Sequence, residues 1–382
     1  MPKHAYLAAS ASERWLACPP SAKLCAEAEE QGSPYAQQGS DAHALCQFLL
    51  ERALGHACRD PTEDLTWYDE EMRECAEAYC AFVMEQIEEA KKLCPDPLVC
   101  VEQTLDFSKW VEHGFGTGDC VIVADDLLQI VDFKYGEGHL VTAAGESGTG
   151  NTQLSCYALG AIDTFGDLYD IRRVKLTIFQ PRRNNMDSYE TTKEALLDWA
   201  ENILAPIARL AYNGEGEFRA GDHCRFCRVK ATCRARAEYA MELAKYDFAE
   251  APTLSVDEVA AILPIIDTLV SWAETVKEYA LGQALSGVMY PGFKVVEGKS
   301  SRQYTDEAAV AKVVADAGYD PYEKKLLGIT AMTKQLGKKT FDTLLKGLIR
   351  KPQGKPVLVP NSDKRPEYST AKTDFMEDQE NE

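Results

Sequence analysis

Two aspartates and a lysine lie in consecutive predicted strands, where they could hold a metal ion. Asp119 lies at the start of one predicted strand and Asp132 at the end of the next, with a tight turn at Asp125-Asp126. The carboxylates can therefore converge, and their mutual repulsion favours a divalent cation between them. Lys134, two residues after Asp132, projects from the same strand face. This set suits phosphodiester hydrolysis, in which carboxylates place Mg²⁺ or Mn²⁺, the cation activates water and the lysine stabilises charge.

The Asp-x-Lys pattern alone is weak evidence for a nuclease active site. Similar acid-x-Lys patterns occur at residues 89–91 and 323–325, in helical surroundings where they indicate surface charge. Strand context distinguishes Asp132 from them. On these residues alone a structural role stays open, in which Asp119 caps a turn and Asp132 pairs with Lys134 at a strand end.

Three further polar residues could join this set. His43 lies at the start of a predicted helix, and Gln153 and Tyr157 lie four residues apart on another, so they share a helix face. A lone histidine is more often a satisfied structural residue than a ligand, and the Gln/Tyr pair could serve packing or hydrogen bonding.

The elements that must position these residues alternate between helices and strands. Helical spacing of apolar residues covers 41–54 and 68–92, and short β-branched segments follow at 98–107, 117–124 and 127–133. A helix at 151–165, a strand at 174–180 and a helix at 193–212 come next. This order predicts an α/β fold with a central sheet flanked by helices, followed by a helix-rich C-terminal region.

The chain is long enough for more than one structural region. A Pro-containing segment near residue 250 indicates a boundary. We therefore predict a first domain at 1–248, a helix-rich domain of unassigned role at 253–360, and a polar, disordered tail at 361–382.

Three of the thirteen cysteines form the grouping Cys224-x2-Cys227-x5-Cys233. A C-x2-C segment turns back on itself and presents two thiolates to one ion, which predicts a metal site. A zinc ion or an iron-sulfur cluster needs a fourth ligand. Cys18 is the remote candidate and Cys25 its alternative, whereas His223 is too close to Cys224 to share its ion.

The net charge of −20 is the main objection to a nucleic-acid partner, because phosphate binding depends on Lys and Arg. Basic residues are nevertheless concentrated at 172–183, 225–236 and 334–355. Solvated surface remains the alternative for each cluster. Three clusters together weaken the objection.

The order of the motifs closely resembles that of the RecB-like nucleases of the PD-(D/E)xK superfamily, over residues 10–240. The resemblance implies that superfamily's mixed sheet flanked by helices. It also implies metal binding by His43, Asp119 and Asp132, catalysis by Lys134, and a Gln/Tyr helix that lines the site and contacts DNA. Glu102 would position the lysine or contribute a hydrogen bond. The motifs are Gly39-x3-His43, Glu102 in a strand, Gly116-x2-Asp119, Asp132-Phe133-Lys134 and Gln153-x3-Tyr157.

The cysteine spacing is similar to that of AddB-type and CRISPR-associated RecB-like nucleases. In these, an N-terminal cysteine joins C-x2-C-x5-C to bind a 4Fe-4S cluster that staples the ends of the nuclease domain. The resemblance implies that Cys18, Cys224, Cys227 and Cys233 bind such a cluster here, with zinc as the alternative.

These patterns favour a metal-dependent DNA exonuclease that acts in recombination or DNA end processing. Because the chain has no Walker A motif, it resembles the stand-alone exonucleases of phage or prophage recombination more than helicase-fused repair subunits. One alternative is a non-catalytic DNA-binding or scaffold protein that retains the fold, and another is a metal-dependent hydrolase of a different substrate. The expected partners are DNA, a single-strand annealing protein and further copies of the chain, without a membrane. A cytoplasmic location is expected, because neither a secretory signal nor a membrane-length apolar run is present.

Overall fold

The structure is a computed structural model that describes residues 5–28, 34–145, 150–241, 256–296, 306–316, 322, 329–346 and 348–349. The chain divides into two compact units, Met1–Val296 and Glu297–Glu382. The boundary predicted at 248–253 and the tail predicted at 361–382 lie outside the described residues.

Four helices precede the sheet. They are α1 (Ser12–Ala17), α2 (Ser21–Glu27), α3 (Pro34–Ala53) and α4 (Glu70–Lys91). Helix α4 begins at Asp69, whose carboxylate accepts a hydrogen bond from the Met72 amide and so caps the first turn. Helix α3 begins seven residues before the predicted segment.

The first unit is built on a five-stranded mixed sheet in the order β1-β2-β3-β4-β5. Strands β3 and β4 are parallel and the other neighbours are antiparallel, with α5 (Thr152–Phe165) as the crossover between β3 and β4. The mixed sheet flanked by helices confirms the predicted fold class. The strands are β1 (Leu98–Asp106), β2 (Phe115–Ala124), β3 (Leu127–Phe133), β4 (Arg173–Gln180) and β5 (Asn185–Thr192).

Each face of the sheet packs against a different set of helices. Val121 and Val123 belong to the apolar core that includes α5, whereas Cys120 and Ile122 belong to the core that includes α3 and α4. This division follows from the alternation of side chains along a strand. Asp132 lies two residues after Ile130 on the same strand, so the two side chains point to the same face of the sheet. Because Ile130 lies in the core that includes α5, the Asp132 side chain is on the α5 side.

The rest of the first unit is helical. Helices α6 (Lys193–Trp199) and α7 (Ala205–Asn213) flank a π-helical turn at Ala200–Leu204, and a 3₁₀ helix at Asp222–Phe226 carries Cys224. Helices α8 (Arg234–Met241) and α9 (Val256–Leu285) follow.

The second unit contains the helices α10 (Glu307–Asp316), α11 (Ile329–Leu336) and α12 (Lys338–Leu344). Together with α9 they agree with the helix-rich C-terminal region that the sequence predicts. None of the helices in the described ranges is both long and apolar enough to cross a bilayer.

Candidate metal-binding active site

The candidate site is built where strands β1, β2 and β3 run side by side. Cys120 pairs with Val131, so one further step along the β2–β3 register brings Asp119 opposite Asp132. Both side chains are buried. The Asp119 Oδ2 atom accepts a hydrogen bond from the Phe133 amide at 2.6 Å, which ties the carboxylate of β2 to the end of β3.

His43, Glu102 and Asp119 bring one ligand atom each to within 4.8 Å of one another. Helix α3 supplies His43, whose Nδ1 lies 3.1 Å from Asp119 Oδ1. The His43 ring also packs edge-to-face on Phe133, with ring centroids 5.4 Å apart. An imidazole and two carboxylates form a donor set that suits a divalent cation such as Mn²⁺ or Mg²⁺.

Glu102 enters this group through an unusual backbone conformation. Residues Val101 and Gln103 pair with Cys120 and Gly118, so Glu102 lies across from Asp119 in the ladder. Its φ of 49° is in the left-handed region, although it lies within a strand. A non-glycine residue in this region costs of order 1–3 kcal/mol and is retained only where the surroundings impose it, often at functional sites.

A second polar group adjoins the first on the α5 side. The Lys134 Nζ atom lies 2.9 Å from Asp132 Oδ2 and donates a hydrogen bond to Gln153 Oε1 at 3.0 Å. Gln153 Nε2 donates to Asp132 Oδ1 at 3.2 Å and to the Tyr157 hydroxyl at 3.0 Å. Gln153 therefore bridges the carboxylate, the ammonium and the phenol from one helix face.

Asp132 Oδ2 is fully buried, and the Lys134 ammonium forms an ion pair with it at 2.9 Å. Because a carboxylate oxygen has two lone pairs, one remains available to a cation. Asp132 thus fits the proposed ligand set as well, beside the group formed by His43, Glu102 and Asp119.

Two glycines of β2 allow close packing, Gly116 against the Tyr157 ring and Gly118 against Leu105. A Cβ atom at Gly116 would lie 2.7 Å from Tyr157 Cε1, and one at Gly118 would lie 3.1 Å from Leu105 Cδ1. Distances below 3.0 Å force a rearrangement. The Gly116-x2-Asp119 motif therefore lets α5 approach β2 closely enough for Gln153 to reach Asp132.

Burial and neighbouring charges shift the pKa values at the site. Burial opposes ionisation of His43, but the Asp119 carboxylate outweighs it and raises the pKa of His43 to about 9. Burial, together with Asp119, raises the pKa of Glu102 to about 7. Burial also disfavours the charged form of Asp119, yet His43 lowers the pKa of that carboxyl. Burial raises the pKa of Asp132 despite the opposing charge of Lys134.

The cysteines predicted to bind a cofactor lie together in the fold. Cys18, Cys224, Cys227 and Cys233 all line one cavity between the N-terminal helices and the segment after α7. His223 forms a hydrogen bond with Cys18 and contacts the Arg219 carbonyl oxygen at 2.9 Å. The structure therefore joins residues 18 and 224–233, as a metal staple requires.

Cys25, the alternative fourth ligand, contacts the same cluster. Its Sγ lies 3.7 Å from Cys227 Sγ and accepts a hydrogen bond from the Arg228 amide at 3.4 Å. The hydrogen bond between the two sulfurs lowers the pKa of Cys25 and raises the pKa of Cys227. It therefore favours ionisation of one thiol of the pair, and the thiolate is the form in which cysteine binds metals.

Of the predicted metal ligands, His43 and Asp119 lie within one group of ligand atoms, in which Glu102 takes part and Asp132 does not; Asp132 instead contacts Lys134 and Gln153, and Gln153 contacts Tyr157. Cysteines 18, 224, 227 and 233 line one cavity. Sequence reasoning left the role of Glu102 open and named Cys25 only as the alternative fourth ligand. The sequence signal for a role of Glu102 was a charged residue within a mostly apolar predicted strand.

The comparisons with known proteins include a solved structure and a family model. The solved structure is titled "Crystal structure of SSO0001"; it is 15% identical to this chain, with a TM-score of 0.24, and the match covers 52% of this chain and 98% of that one. A TM-score below 0.5 is too low for this likeness to indicate a shared fold. The family model described as "Protein of unknown function (DUF2800)" matches residues 4–366. The chain therefore belongs to the DUF2800 family.

Proposed function

We propose that this protein is a metal-dependent DNA exonuclease of the RecB-like PD-(D/E)xK type, which hydrolyses phosphodiester bonds in phage or prophage recombination or DNA end processing. The observation that carries the proposal is the convergence of a cation-binding donor set with a lysine. His43, Glu102 and Asp119 supply the donors, and Asp132 places Lys134 beside them. The phage association of the DUF2800 family supports the biological setting.

Charge balance explains why this site needs a cation to accept a phosphate. Three carboxylates converge here, and only His43 and Lys134 can offset them within the group. A phosphodiester approaching that site without a metal would meet net negative charge. Bound Mg²⁺ or Mn²⁺ would supply Lewis-acid stabilisation and an activated water.

The protein's own side chains then have separable roles. Glu102, Asp119, Asp132 and His43 would hold the cation. Lys134, held by Asp132 and Gln153, presents its ammonium beside the reacting phosphate and stabilises the charge that develops there. Gln153 fixes the lysine and the carboxylate relative to each other from α5.

For the cysteine site we propose a structural 4Fe-4S cluster, with zinc as the alternative. Four cysteines that line one cavity offer the donor set that both require. A bound cluster would add a covalent link between residue 18 and the segment 224–233 of the first unit. Iron, acid-labile sulfide and zinc analysis of anaerobically purified protein distinguishes the two.

The test of the nuclease proposal is digestion of end-labelled linear DNA and closed circular DNA with Mg²⁺ or Mn²⁺. Lys134→Ala and Asp132→Asn should each lower the cleavage rate by a factor on the order of 10²–10³. Lys109→Ala is the matched control, because it removes an exposed lysine that contacts Asp163 at the far end of α5 from Gln153.

Cleavage of linear DNA with sparing of the circle would support exonuclease action, and cutting of the circle would contradict it. If the protein binds DNA but leaves it intact with either metal, the hypothesis of a non-catalytic scaffold protein would replace that of an enzyme. Equal loss of activity in the Lys109→Ala control would show that the effect is not local to the site.

A further inference from the structure

An exposed aromatic ring lies beside an arginine and a histidine, the latter on the segment that follows Lys134. Phe226 is 68% exposed at the end of the 3₁₀ helix Asp222–Phe226. Its ring meets that of His139 edge-on, with centroids 6.5 Å apart, and the Arg225 guanidinium lies 6.0 Å from its centroid. Arg225 Nη1 donates a hydrogen bond to His139 Nδ1 at 2.6 Å. We call these three residues the platform.

The platform is fastened to the strand ends that carry the site. His139 follows Lys134 by five residues, so the two are at most about 18 Å apart along the chain. The Gln180 amide, at the end of β4, donates to the carbonyl oxygens of Gly136 and His139 at 2.7 Å each. Arg183 Nη1 donates to the Glu137 carbonyl oxygen at 2.9 Å. The segment after Lys134 is therefore held in place.

Two arginines lie at or near the platform, and each contacts acidic side chains. Arg225 has a distant acidic contact, with Nη2 4.0 Å from Asp222 Oδ1, and its side chain is 39% exposed. Arg182 stacks over Tyr135 at 4.8 Å and pairs with both Glu71 and Glu137, so Arg225 is the arginine with the weaker acidic contact. An aromatic ring flanked by arginine is the combination that binds an unpaired base and the phosphate next to it.

We propose that the platform stacks an unpaired base of single-stranded DNA and guides that strand to the candidate active site. The proposal rests on the proposed nuclease function and adds its substrate class. Bases inside a duplex are paired and stacked on both neighbours, and only a terminal pair exposes one face, so a ring exposed on the surface stacks most readily on a base from an unpaired strand. At about 3.4 Å per stacked nucleotide, at most about five nucleotides are needed to reach from His139 to Lys134.

The test measures binding of fluorescein-labelled oligo-dT of about 12 nucleotides by anisotropy. It uses the full-length, anaerobically purified protein without added divalent metal, so that binding is observed without cleavage. Phe226→Ala should weaken binding about 5- to 150-fold, the effect of one lost base stack, and Phe226→Tyr should restore it. Arg225→Ala should reduce the salt dependence of oligo-dT affinity by the amount that corresponds to about one phosphate contact.

Matched controls lie at the opposite end of α5 from Gln153, about 20 Å away by the length of the helix. Leu168→Ala removes an exposed apolar side chain and Lys109→Ala an exposed cation, and neither should change binding. Circular dichroism melting and iron content check that each variant is folded and loaded.

Two ligands make the result decisive. The affinity of Phe226→Ala for a blunt hairpin duplex should lie within twofold of that of the native protein. The affinity of the native protein for an oligomer with abasic units should be as low as that of Phe226→Ala for oligo-dT. Unchanged oligo-dT binding by Phe226→Ala, an equal loss on the duplex, or native affinity for the abasic oligomer would overturn the proposal. Cleavage is scored separately. A protein that binds through Phe226 but cleaves nothing refutes the nuclease alone, and a nuclease indifferent to Phe226 refutes the platform alone.

Discussion

The pH dependence of metal binding at the candidate site can be worked out from two shifted groups. A cation binds the unprotonated imidazole and the carboxylate, so protons on His43 and Glu102 must leave. Their pKa values of about 9 and about 7 lie above the usual values for these side chains. Affinity therefore rises with pH, because each group is more fully deprotonated at higher pH, and the rise ends above the higher pKa.

The magnitude follows from the same two values. Binding at pH 6 should release about 1.9 protons, and at pH 7.5 about 1.2, if both groups are unprotonated in the complex. Integrated from pH 6 to pH 8, the affinity should increase about a thousandfold. A site with ordinary pKa values would gain only a few-fold, because its histidine alone would still be partly protonated at pH 6.

Isothermal titration of Mn²⁺ in buffers of different ionisation enthalpy measures both the affinity and the protons released. Glu102→Gln removes one titrating group, so proton release at pH 6 should fall to about one. The variant also shows that the second proton comes from Glu102. An affinity that changes less than tenfold between pH 6 and pH 8 would refute this account of the site.

Other substitutions test how the site is built. Gly116→Ala places a methyl group against the tyrosine ring of α5 and should cost about 1–3 kcal/mol in urea unfolding, whereas Gly136→Ala, with nothing within 4 Å, should leave stability nearly unchanged. Glu102→Gly relieves the strain of the left-handed backbone, so it should raise the melting temperature measured without metal by an amount equivalent to about 1 kcal/mol. The same variant should bind Mn²⁺ more weakly. A lower melting temperature would show that the conformation is unstrained. Cys18→Ala should lose the cofactor and Cys25→Ala retain it, as judged by iron and zinc content, and the reverse result would make Cys25 the fourth ligand.

Much of the sheet could be predicted from the sequence because its strands are apolar and bounded by turns. The predicted strand 127–133 coincides with β3, and 117–124 differs from β2 by two residues at one end. Strand β5 was not predicted. It lies at the sheet edge with every second side chain exposed, and its sequence Asn185–Thr192 is mostly polar, so hydrophobic periodicity gave no signal.

The site was predictable where its residues are close in sequence and not where they meet only through the fold. Asp132 and Lys134 are adjacent on one strand, so their contact follows from local geometry. The position of Glu102 depends on the register of β1 against β2 and on one left-handed residue, neither of which a single sequence specifies. The contact between Cys25 and Cys227 joins residues 202 positions apart.

The metal-free site contains features that a purely structural role does not explain. Asp132 and Asp119 are buried carboxylates, and burial of charge costs free energy that apolar side chains of similar volume would not. Glu102 adds backbone strain to the same site, and its ligand atom lies within 4.8 Å of those of His43 and Asp119. Both the buried carboxylates and the strained backbone oppose folding. Local conflicts with the rest of the fold are expected where residues are retained for binding. A cation bound by His43, Glu102 and Asp119 would offset the buried negative charge and would explain why the strained conformation of Glu102 is retained.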